Sequence, residues 1–189
     1  LREDVARVVA IREGAPSVGL TLDANQGYTP SEALLCLEAL NDNDIRPLLM
    51  EQPVHKNDYE GLRYVTQHTT VPVAADESAT DAASVARLIK MGAVSFCNIK
   101  LMKAGIVEAL DIAALCRATH TGLMIGAMIE SRLAIAASAH IAAGLGGFSF
   151  IDLDTPMLLA EDPFTGGFEQ QGAVYDLSKV KSGLGIERR

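Results

Sequence analysis

The chain has 189 residues, is 49% apolar and 21% charged, and carries 16 basic against 24 acidic residues for a net charge of −8. This length and composition give one domain with a sizeable core and exclude a disordered chain. The acidic balance and the lack of any Lys/Arg cluster argue against a nucleic-acid partner.

In chain order, Glu3–Arg12 has a helical pattern and Val18–Leu22 is a short β-rich run. Thr29-Pro30-Ser31-Glu32 then opens a helix to Leu40. Arg46–Met50 is a second run, followed by a helix from Asn57-Asp58 to His68. Val71–Ala75 precedes a helix from Thr80-Asp81 to Met91, and Ser95–Ile99 precedes one over Ala104–Thr119. Leu123–Ala127, a helix over Arg132–Ala143 and the run Phe148–Leu153 complete the pattern, with Gly92, Gly122 and Gly144 as expected helix C-caps. The uncharged stretch Leu133–Ile151 approaches membrane-span length, but Ser138, His140 and the glycines at 144, 146 and 147 make it a buried helix and turn. Cys36, Cys97 and Cys116 lie singly in apolar stretches and read as reduced core thiols, which points to the cytoplasm.

Strand–helix alternation with short loops is the mark of parallel βαβ units. The polar residues that follow successive runs, Asp23, Glu51, Asp76 and Lys100, are spaced by 28, 25 and 24 residues. A doubly wound sheet would place a glycine-rich turn after an early strand, and none stands there. Charged residues at the C-terminal ends of neighbouring strands are instead what a (β/α)₈ barrel gathers at its mouth. The fold expected is therefore α/β: the C-terminal part of a TIM-type barrel, with about six of the eight strands present. Residues 1–163 would form this partial barrel and 164–189 an irregular closing segment of the same domain.

Asp23, Glu51 and Asp76 are the strongest chemical feature. A single acid after a strand is ordinarily a cap or a loop charge. Three on adjacent strands, about 4.8 Å apart, would repel one another, and a hard divalent cation such as Mg²⁺ relieves that repulsion. Lys100 is a counter-ion or a base, and beside a cation its ammonium pKa should fall. Lys103 reads as a helix cap or a solvent-facing charge.

Leu22-Asp23-Ala24-Asn25-Gln26-Gly27-Tyr28, Met50-Glu51-Gln52-Pro53, Ala75-Asp76-Glu77-Ser78 and Asn98-Ile99-Lys100-Leu101-Met102-Lys103-Ala104-Gly105 resemble the enolase superfamily, and most closely its muconate-lactonizing subgroup. The resemblance runs to the ending Gly183-Leu184-Gly185-Ile186-Glu187. It implies that Asp23, Glu51 and Asp76 hold Mg²⁺, and that Lys100 is one of two acid/base lysines removing the proton α to a carboxylate through an enediolate. The subgroup's other lysine lies in a Lys-x-Lys motif on the preceding strand. No such motif stands upstream of Asp23, nor does a cap domain.

Ile151-Asp152-Leu153-Asp154-Thr155-Pro156 resembles the Asp-x-Asp of the dipeptide epimerases in that subgroup. Alternate strand positions face one way, so Asp152 and Asp154 would grip a substrate ammonium, or else cap the barrel rim. Glu130 lines the pocket or serves its own loop. His55, His68, His120 and His140 are expected to be exposed or packed rather than ligands. The leading expectation is a Mg²⁺-dependent epimerase of L-amino-acid dipeptides. It would be a homo-oligomer with a small-molecule carboxylate substrate and no membrane partner. Muconate cycloisomerisation, o-succinylbenzoate formation and N-acylamino-acid racemisation are rivals on the same scaffold. A Schiff-base aldolase or lyase through Lys100 and an inactive fragment stand further off.

Overall fold

The computed structural model describes residues 1–189. Its core is a six-stranded parallel sheet in simple sequential order: β1 (Thr21–Asp23), β2 (Leu49–Glu51), β3 (Val73–Ala75), β4 (Phe96–Ile99), β5 (Gly122–Ile125) and β6 (Phe148–Ile151). Helices α2 (Pro30–Asn41), α3 (Tyr59–His68), α4 (Ala82–Met91), α5 (Leu101–Ala118) and α6 (Arg132–Leu145) make the crossovers, and α1 (Arg2–Gly14) precedes β1. No helix is long and apolar enough to cross a membrane.

The expected start signals do their work. Thr29 and Glu32 form a reciprocal capping box with Pro30 in the first turn, and Asp58 and Asp81 cap α3 and α4. Each such cap contributes about 1 kcal/mol. Gly92 ends α4 in the left-handed region, as expected. The other two glycine caps are corrected. Gly122 opens β5, with α5 already ended at Thr119, and Gly144 lies inside α6, which Gly146 terminates.

Strands β2 and β3 are buried at every position, as strands covered on both faces should be. The outer strands β1 and β6 alternate between partly buried and exposed. The main apolar core lies between the sheet and helices α2–α5 and includes Met50, Leu62, Val73, Leu88, Ile99 and Ile112. Truncating one of the large members to alanine would cost roughly 2–5 kcal/mol.

The segment after Pro163 is not irregular. β7 (Phe164–Gly166) pairs antiparallel with β10 (Ile186–Arg188), and β8 (Glu169–Gln171) forms a hairpin with β9 (Val174–Asp176). Short strands of three residues with polar and glycine neighbours give no periodic signal long enough to read from sequence. The start of α6 clasps this tail. Arg132 donates to the carbonyls of Gly166 (2.5 Å) and Phe168, and its guanidinium stacks 3.9 Å over the Phe168 ring. Asp162 in turn accepts the Arg132 backbone N–H at 2.6 Å.

Candidate active site

In a parallel sheet every strand ends on the same side, so the strand-end residues share one face. Asp23 and Glu51 are register partners at the ends of β1 and β2. Asp76 follows β3 by one residue and Lys100 follows β4 by one. The sheet therefore brings the four residues to adjacent strand ends.

Their surroundings differ. Asp23 is exposed and accepts the Asn25 backbone N–H at 2.9 Å. Glu51 is only 5% exposed, and its Oε1 accepts from Asn98 Nδ2 at 2.6 Å. Burial drives the Glu51 carboxyl up to about 7; Asn98 and Lys100 oppose this, while the charges of Asp23 and Asp76 add to it. Asp76 is buried, with Lys100 Nζ 2.6 Å from its Oδ2 and Lys103 on its Oδ1. Burial pulls the Lys100 ammonium down, but Asp76, with Glu51 and Asp23, more than reverses that and leaves it above its ordinary value. Lys100 is thus an ion-pair partner of Asp76.

Lys103 is a correction. It neither caps α5 nor faces solvent. Its Nζ bonds the Asp76 carboxylate, the Asp76 carbonyl (2.6 Å) and the Asn98 carbonyl (3.1 Å). The cause is local. Gly105, at φ +73° and ψ 176°, breaks the first turn of α5 from the rest, and that separate turn carries Lys103 back over the strand ends. Burial holds the Lys103 ammonium below its usual value despite Asp76. A glycine two residues after a lysine in a helical pattern was the only hint in the sequence.

Asn98 was also missed. It sits two residues before Lys100, so period-2 alternation puts both on one face, and that was the available signal. Gly126 makes room for them: a Cβ there would lie 2.7 Å from Asn98 Nδ2 and 3.1 Å from Lys100 Cε. The Asn98 Oδ1 is buried without a partner.

The donor set suits a hard divalent cation. It is all oxygen, it comes from adjacent strand ends, and the Asp23 and Asp76 charges disfavour ionised Glu51 in a way that a cation would reverse. The three acids nevertheless form no closed ligand cluster. Each Asp76 oxygen has a lysine on it and keeps a further lone pair for a cation.

Asp152 and Asp154 do not lie on a strand. β6 ends at Ile151, and Asp154 has helical backbone angles as the residue preceding a short 3₁₀ turn, Thr155–Leu158. Both are exposed and flank buried Leu153. Partial burial and then the Asp154 charge raise the Asp152 carboxyl, while Lys100 lowers it and Asp23 adds to the rise. Asp23 on the first strand and Asp152 after the last therefore share one electrostatic field with Lys100. An apolar cavity of about 450 Å³ borders Asp152 and Asp154; α6, the segment from Ile151 to Met157 and the tail from Gln170 to Leu177 wall it, and none of Asp23, Glu51 and Asp76 lines it.

Glu130 is 5% exposed and accepts the Met128 backbone N–H at 2.9 Å, a bond within its own loop. His55, His68 and His120 are exposed, and His140 is partly buried on α6.

Comparison with known proteins places this geometry. The family model for enolase C-terminal domain-like proteins matches residues 1–189. The chain is 47% identical to an aromatic dipeptide epimerase of Herpetosiphon aurantiacus over 97% of its length and 51% of that protein. Its fold superposes with a TM-score of 0.96 on a mandelate racemase/muconate lactonizing enzyme from Roseiflexus sp., 54% identical, covering 98% of this chain and 54% of that one. A dipeptide epimerase from Enterococcus faecalis, solved with Mg and the dipeptide L-Leu-L-Tyr, matches with a TM-score of 0.92 at 42% identity, over 98% and 52% of the two chains. The chain spans about half the length of the relatives it matches. With its parallel barrel strands and strand-end acids, the chain belongs to the enolase C-terminal domain-like family, in the mandelate racemase/muconate lactonizing branch.

Proposed function

We propose that this chain carries the chemistry of a Mg²⁺-dependent dipeptide epimerase, moving the proton α to the substrate carboxylate. The observation that carries the reading is the placement of Asp23, Glu51, Asp76 and Lys100 on successive strand ends, with Lys100 2.6 Å from Asp76. The Herpetosiphon and Enterococcus relatives, a named aromatic dipeptide epimerase and a dipeptide epimerase with Mg and dipeptide bound, support the substrate class.

Asp23, Glu51 and Asp76 would hold the ion. When bound, Mg²⁺ supplies fixed positive charge for the substrate oxygens on which charge develops as the α-proton leaves. Lys100 Nζ serves one face of the α-carbon, accepting the proton as amine and returning it as ammonium. Its stem is confined between Asp76 and the Cβ-free space at Gly126, which fixes where the nitrogen can reach. Asp152 and Asp154 hold the dipeptide's ammonium through charge-assisted hydrogen bonds. Glu130 borders this end of the mouth and acts by fixing the loop after β5.

Proton NMR of a dipeptide panel in D₂O tests the reading on the full chain. Mg²⁺-dependent loss of an α-proton signal, suppressed by EDTA, is the expected result. Retention of every α-proton in the presence of Mg²⁺ would contradict it.

A further inference from the structure

Gln52 is fully buried and adopts φ +31°, a backbone region that a side chain of its size seldom enters. It stands next to Glu51 at the end of β2. Its carboxamide oxygen accepts the backbone N–H groups of Asp76 (2.9 Å) and Ser78 (3.1 Å). Its amide nitrogen donates to the Val54 carbonyl (3.0 Å) and Ser78 Oγ (2.8 Å), so every hydrogen-bonding capacity of the group is filled. Its backbone joins the neighbouring strands too: Gln52 N–H donates to Ala74 O at 2.9 Å, and Gln52 O accepts from Gln26 N–H at 2.8 Å. One side chain and its peptide groups thus tie together the loops that follow β1, β2 and β3.

A strained, solvent-free backbone persists only where the surroundings over-determine it. Here that means the four side-chain bonds, because a glycine would hold the same φ without them. We infer that Gln52 is a positioning residue: its carboxamide fixes the main chain at Asp76 and Ser78 relative to Glu51, and so sets the spacing of two of the three carboxylates. The link to metal affinity rests on the reading of Asp23, Glu51 and Asp76 as Mg²⁺ ligands; the link to the Asp76 backbone does not.

Gln52→Met removes the four bonds while keeping length, and Gln52→Gly removes them while relieving the backbone. Ser78→Ala deletes one of the four Gln52 bonds, together with the Ser78 hydroxyl's bond to the Lys56 carbonyl, and serves as the milder variant. Two readouts apply to the full chain: backbone amide exchange at Asp76 and Ser78, and Mg²⁺ affinity by calorimetry. We expect amide exchange at Asp76 to quicken by about tenfold or more in both Gln52 variants. Mg²⁺ affinity should fall by roughly 10- to 100-fold in both, with a smaller loss in Ser78→Ala. Unchanged Asp76 and Ser78 protection in Gln52→Gly would overturn the inference, as would quickened exchange with unchanged Mg²⁺ affinity. If the unaltered chain binds no Mg²⁺, the metal reading fails by itself, and amide exchange alone decides whether Gln52 positions Asp76.

Discussion

The ends of β1–β4 and the segment after β6 hold their acids by different means. Asp23 and Glu51 are the last residues of strands and are paired by the sheet's own ladder, while Asp76 and Lys100 are the next residue on, with the Asp76 N–H on the Gln52 side chain. Asp152 is also the next residue after a strand, with its N–H on the Ile125 carbonyl of β5 at 2.9 Å, but Asp154 lies beyond the ladder. Leu153, between the two, is held by a side chain: Tyr175 donates to its carbonyl at 2.6 Å and stacks on Phe168, which lies under Arg132. In the proposed function the reactive groups, which must be placed within a fraction of an ångström, are those at the strand ends, and the groups that would sort substrates are those of the segment after β6. Chemistry and substrate choice should therefore be separable by mutation.

Lys100→Met attacks the rigid region and should have the largest effect. We expect α-proton exchange on one face to fall by about 10²- to 10⁴-fold, measured by NMR in D₂O, with folding retained because Lys103 still pairs with Asp76. Asp152→Ala with Asp154→Ala attacks the loop. Loss of charged hydrogen bonds worth about 1.5–3 kcal/mol should weaken dipeptides roughly 10- to 100-fold in KM. Substrates without a free ammonium should be scarcely affected. An equal loss for N-acylated substrates would erase the division of labour and favour the rivals on this scaffold.

Arg132→Ala sharpens the same comparison from a distance. Removing its bonds to the Gly166 and Phe168 carbonyls should destabilise the tail by about 1.5–3 kcal/mol, read by chemical denaturation. It should raise KM for dipeptides with little change in kcat. The smallest effect concerns pH. Partial burial and then Asp154 hold the Asp152 carboxyl above the usual range, so it loses its charge earlier as pH falls. Dipeptide affinity should drop with it on the acid side. Asp154→Asn lowers the Asp152 pKa and should move that limb to lower pH in a KM–pH profile.

The two regions were not equally legible in the sequence. A strand-end acid repeated at nearly constant intervals signals itself, because the βαβ period and the sheet register are both set by local pattern. The six strands and their order followed from the same regularity. Lys103 was misread because a single glycine, Gly105, turned its helical turn back over the sheet, an effect of backbone angle that residue type does not announce. Gln52 was passed over because its role lies in bonds to residues 24 and 26 positions away. The tail was read as irregular for a similar reason. Its strands are three residues long, and long-range clasps such as Arg132 to Phe168 hold it in place.

The claim on which the rest depends is that Asp23, Glu51 and Asp76 together hold one divalent ion. Titration calorimetry with Mg²⁺ on the full chain, beside Asp23→Asn, Glu51→Gln and Asp76→Asn, addresses it directly. A single site is expected in the unaltered chain, with strongly weakened binding in each variant. No binding in the unaltered chain, or undiminished binding in all three variants, would contradict it.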